Sequence, residues 1–160
     1  MLPYTFEVFS LDDIVSIIVI FFLFIIFLGY NDKIGIKDDS KTFLIVLSVL
    51  MIFLDLSEDL VRIFTGYYSI TKDLPLQLCS IGVYLAAFNL MYRNQTIFNL
   101  IFYWGFVGAT NAILTPDGDL FELRIFFFYS QGYHAALIFA VLWMMIKYDM
   151  RMDYRSILQV

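Results

Sequence analysis

The sequence is poor in the residues that carry covalent and ionic chemistry: one cysteine, one histidine and three prolines in 160 residues, with only 16% of positions charged. A single cysteine excludes an internal disulfide and leaves the redox compartment open. The net charge of −5 provides no basic patch for a phosphate backbone, which excludes nucleic acid as a partner. No internal repeat, low-complexity tract or long linker interrupts the chain, so residues 1–160 read as a single domain. Asp12 and Asp13, rather than Lys or Arg, precede the first apolar run, and no small-residue cleavage site follows it. The run therefore does not read as a signal peptide and is expected to stay in the mature protein.

What is abundant is apolar surface. Hydrophobic residues make up 61% of the chain, against roughly 45–50% in ordinary soluble domains. They gather in runs of bilayer-crossing length, separated by short charged stretches. The implied fold class is all-α, a polytopic transmembrane bundle of about five membrane-spanning helices. The spans fall at about 14–30, 43–64, 75–92, 97–114 and 125–147. Ser10, Asp12 and Asp13 supply N-terminal capping groups for the first. Pro75 opens the third, where its missing N–H costs nothing. Thr115-Pro116-Asp117-Gly118 ends the fourth as a turn.

The ten Lys and Arg residues orient the bundle. With the N-terminus outside, Lys33, Lys37, Lys41, Arg93, Lys147, Arg151 and Arg155 fall on the cytoplasmic side, and Arg62, Lys72 and Arg124 outside. The positive-inside bias therefore predicts an N-out, C-in topology.

Polar residues within the spans are the functional evidence, because an ionisable side chain at membrane depth faces the bundle interior or a wet cavity. Asp55, Glu58, Asp59 and Arg62 share one face of span two. A salt-bridge network near the outer interface accounts for Glu58 and Arg62, whereas Asp55 lies deeper. Cys79 lies about 6 Å beyond Pro75, His134 about 14 Å beyond Ile125, and Asn111 at a depth similar to that of Cys79, by helical rise. Antiparallel threading puts all three in the outer half of the bundle with the acidic face. Ser130, one turn before His134, offers the imidazole a partner. An imidazole beside a thiol takes its proton, and the thiolate attacks an acyl carbonyl while a carboxylate or amide, here Asp55, Asp59 or Asn111, holds the ring. Free cysteine also packs as an inert small hydrophobe.

Three segments carry a resemblance. Leu74-Pro75-Leu76-Gln77-Leu78-Cys79, the stretch from Gly105 to Asp117, and Tyr133-His134-Ala135-Ala136-Leu137-Ile138 together resemble the YwaF-like family of integral membrane proteins, which includes the phospholipid acyltransferase transmembrane protein 164. The likeness covers spans three to five well and the first two poorly. It implies a multi-pass protein of a bacterial cell membrane that moves fatty acyl groups between phospholipids, with Cys79 and His134 in the catalytic roles. Gln77 stands where the family pattern has His. Five spans, where relatives have more, imply a short or C-terminally truncated member. The expected partners are membrane lipids, and no cofactor or metal is expected. Two other readings stand beside the enzyme: a small transporter or proton relay using Asp55, Asp59 and His134, and a non-catalytic membrane subunit.

Overall fold

Apolar runs bounded by polar residues form five helices in the computed structural model, which describes residues 10–34, 41–70, 78–116 and 123–153. They are α1 Leu11–Ile34, α2 Lys41–Thr65, α3 Leu78–Tyr92, α4 Gln95–Leu114 and α5 Arg124–Lys147. Among the described residues there is no strand. Each helix falls on one of the expected spans. The start of α1 is capped as expected, with Ser10 Oγ accepting from the Asp13 amide at 3.4 Å.

Turn chemistry separates the helices. Gly66 follows α2 in the left-handed region, at φ 78°, so that the Tyr67 amide reaches back to the Arg62 carbonyl at 2.9 Å. The link between α3 and α4 is only Arg93-Asn94. Arg93 takes a positive φ of 54°, and Asn94 caps α4 by accepting from the Ile97 amide at 3.1 Å. Within α4 the segment Ile101–Phe106 is π-helical, with the Val107 amide bonded to the Phe102 carbonyl five residues back.

Contacts at the helix ends fix the threading. Asp12, at the start of α1, accepts from Arg124 Nε at the start of α5 at 2.7 Å. Late in α2, the Arg62 guanidinium lies 4.1 Å over the Phe126 ring. Phe27 of α1, Phe43 of α2 and Trp143 of α5 form one aromatic cluster, with centroids 4.8–5.9 Å apart. Arg93 lies 3.9 Å over Tyr148, just past the end of α5. Successive helices therefore run antiparallel, and α1, α3 and α5 begin at the same end.

The outward face is apolar, unlike that of a water-facing protein: Phe21, Phe22 and Leu23 on α1 and Val49 and Phe53 on α2 face outward. Within a largely apolar core, Asp55, Arg62, Asn89, Asn99, Gln131 and His134 are also buried. Exposed apolar helix faces with ionisable groups turned inward suit hydrocarbon, not water. Helices α4 and α5 are each long and apolar enough to cross a membrane, and Cys79–Tyr92 is a shorter apolar helix. Close backbone approach helps hold the bundle: a Cβ built on Gly82 would lie 3.4 Å from Gly105 Cα, so α3 and α4 meet at glycine on both sides.

Candidate functional site

The polar face of α2 supplies one wall of the site. Asp55 and Arg62 are each only 5% exposed. Arg62 selects Glu58 as its partner, placing Nε and Nη2 at 3.1 and 2.9 Å from the same carboxylate oxygen, and its guanidinium stacks on Phe126 of α5. The pair is thus neutralised within the bundle and braced against an aromatic ring. Asp55 is handled differently. Its Oδ1 accepts from Ser80 Oγ of α3 at 3.0 Å, and the Tyr84 hydroxyl, also on α3, faces the same carboxylate. Its Oδ2 is buried with no hydrogen-bond partner among the described residues. Asp59, on the same face, is partly buried.

Helix α3 also carries Cys79. The thiol is free and half-buried, packs on the edge of the main apolar core, and lies within electrostatic reach of Asp55. Tyr133 of α5 lies within reach of Cys79, Asp55 and Glu58. Three helices therefore converge on one buried polar region.

His134, beside Tyr133 on α5, is 4% exposed. Its Nδ1 lies 2.8 Å from the Ser130 carbonyl and 3.3 Å from Ser130 Oγ. A carbonyl only accepts, so this contact places the proton on Nδ1 and leaves Nε2 with a bare lone pair. Nε2 is buried and has no hydrogen-bond partner among the described residues. The ring is thus oriented by Ser130, the partner the sequence offered one turn away, through its backbone carbonyl, and not by a carboxylate or amide. No hydrogen bond joins Cys79 to His134 in this structure.

The remaining sequence candidates are scattered. Asn111 is exposed at the end of α4, where its Oδ1 is 3.4 Å from Thr115 Oγ1, and it makes no hydrogen bond to Asp55, Cys79 or His134. Gln77 lies outside the described residues. Sequence reasoning passed over Ser80, Tyr84 and Tyr133, which supply hydroxyls around Asp55 and Cys79. The signal was present in part: Ser80 and Tyr84 stand one turn apart, directly after Cys79 in a largely apolar span.

An all-helical bundle with an apolar exterior and a buried polar centre defines a helical integral membrane protein. The comparisons give the particular family. The profile of the TMEM164 family matches residues 8–160, and the chain belongs to that family. No curated protein and no solved structure matches the chain.

Proposed function

We propose that this chain is a five-pass membrane enzyme, N-terminus outside, that transfers a fatty acyl group between lipids, with Cys79 as nucleophile and His134 as general base. The observation that carries the reading is the bare, buried Nε2 of His134, a base held in a single tautomer with no hydrogen-bond partner among the described residues. Cys79 stands in the first turn of α3, at the end of the bundle where α5 also begins, within electrostatic reach of Tyr133. In a resting site the hydrogen bond between base and nucleophile is often long and closes only around substrate.

The chemistry balances in two steps. Nε2 takes the thiol proton as Sγ attacks the ester carbonyl of a donor lipid. The ester C–O bond breaks, the lyso lipid leaves with that proton, and the acyl group remains on Cys79 as a thioester. The hydroxyl of an acceptor lipid then gives its proton to Nε2 and attacks the thioester, forming the new ester and restoring the thiol. The test uses purified protein with an isotope-labelled diacyl phospholipid and an unlabelled lysophospholipid. Label should move to the acceptor, through an adduct on Cys79 that hydroxylamine cleaves. Wild-type transfer by Cys79→Ala would end this reading.

A second reading has its own support in Asp55, whose Oδ2 is buried and unpartnered among the described residues, with Ser80, Tyr84 and Tyr133 around it. Such a carboxylate also suits a proton relay. Proton flux in liposomes that Asp55→Asn abolishes, in the absence of any acyl transfer, would favour it.

A further inference from the structure

A cavity of about 630 Å³ opens between α1, α2 and α5. Its size falls within the range of sites that enclose small organic ligands. On α5 it runs from Phe128 to Phe139, and on α1 from Val15 to Phe27, in each case about 16–18 Å of helix at the standard rise. Phe27 and Phe139 close the inner end edge to face, with centroids 4.1 Å apart. The walls are hydrocarbon throughout except for Ser16, whose hydroxyl is already bonded to the Asp13 carbonyl at 2.8 Å, and Gln131.

Gln131 has no evident structural reason to be there. It is 4% exposed, lines the cavity, and its Oε1 is buried with no hydrogen-bond partner among the described residues. A buried amide oxygen without a partner costs roughly 1–3 kcal/mol, and that cost is recovered when a ligand supplies the missing donor. Gln131 stands one turn before His134 on α5, toward the end where α1 and α5 begin.

The geometry points to a seat for one acyl chain of a lysophospholipid taken from the surrounding bilayer, its free glycerol hydroxyl donating to Gln131 Oε1. From Gln131 to Phe139 the slot runs about 12 Å at the helical rise and accepts roughly 10 bonds of extended chain, at about 1.2 Å per bond as in an extended backbone. Apolar walls recognise the tail, and the lone amide recognises the hydroxyl that a diacyl lipid lacks. The assignment rests on the acyl-transfer reading for its purpose, where it makes this lipid the acceptor, but not for its chemistry.

Binding, rather than turnover, tests it. Native mass spectrometry of the detergent-solubilised protein should show one lysophosphatidylcholine retained, bound roughly tenfold more tightly than the analogue lacking the free hydroxyl, the worth of one hydrogen bond in a dry site. Gln131→Met keeps the shape and removes the amide. It should erase that preference while leaving melting temperature equal or higher. Gly132→Leu should block binding of both lipids, and since a Cβ at Gly132 meets nothing within 4 Å, the helix accepts it without a clash. Equal binding of lysophospholipid and its hydroxyl-free analogue by the wild type, or a preference unchanged in Gln131→Met, would overturn the assignment, as would full binding by a folded Gly132→Leu. Selective binding by a wild type that transfers no acyl group would end the enzyme reading and leave this seat standing.

Discussion

Gly105 of α4 lies against Leu137 of α5 so closely that a Cβ at position 105 would fall 3.2 Å from Leu137 Cδ2. Leu137 is fully buried and has little room to retreat. Gly105→Ala is therefore expected to lower stability by about 1–3 kcal/mol, as overpacking does. Gly108, three residues on, faces open space. Gly108→Ala should be neutral or stabilising by about 0.5–1 kcal/mol through helix propensity. Thermal melts of the two variants in detergent check the contrast.

That contrast also marks where the sequence stopped being legible. The helical spacing of the two glycines alone suggests one packing face of small residues, but only Gly105 packs closely and Gly108 has nothing within 4 Å of its Cβ position. Inside α4, burial falls at every fourth residue, on Ile101, Gly105, Ala109 and Ile113, so Gly108 stands about 100° from that face. Asn111, expected to reach the site, lies two residues from both Ala109 and Ile113, on the opposite face, and is exposed. Helix positions were legible because apolar runs and their capping residues are local signals. So was the Asp55 to Arg62 face, since a regular α2 preserves its phase. The convergence of Ser80, Tyr84 and Tyr133 depended on how helices face one another, which no local pattern encodes.

The Arg62–Glu58 pair is 6% and 13% exposed on its two sides, so each charge depends on the other. Arg62→Met alone is expected to cost about 3–5 kcal/mol by stranding a buried carboxylate. Pairing it with Glu58→Gln should return most of that loss. A double-mutant cycle by chemical denaturation measures it. Additive losses would show that Arg62 acts chiefly through its stacking on Phe126.

For the topology, the contact of Arg93 with Tyr148 puts the α3–α4 turn and the end of α5 at the same end of the bundle. Reporters inserted after Asn94 and after Val160 should therefore both read cytoplasmic, and one inserted after Gly66 should read outside. Opposite signals from the first two would contradict the antiparallel threading. The same signal from all three would contradict membrane crossing by α3.

The last prediction concerns Cys79 and His134 as one unit. If the imidazole serves the thiol, removing either group abolishes the same step, so Cys79→Ala and His134→Ala should each lose nearly as much acyl transfer as the double variant. A loss of about 10²–10⁴-fold for the base alone is the ordinary scale of such a group. Packing and catalysis are separated by His134→Asn. An asparagine amide can still donate to the Ser130 carbonyl, as Nδ1 does at 2.8 Å, but it has no lone pair in place of Nε2. If His134 only fills and braces α5, His134→Asn should keep its melting temperature and its transfer rate together. If Nε2 is the base, stability should survive and transfer should not. Cys79→Ser sharpens the other half, because a hydroxyl matches the thiol in shape but yields its proton far less readily. Tolerance of serine with normal turnover would mark Cys79 as a packing residue on the core edge, whereas full folding with lost turnover in both His134→Asn and Cys79→Ser is the pattern that only a thiol and its base produce.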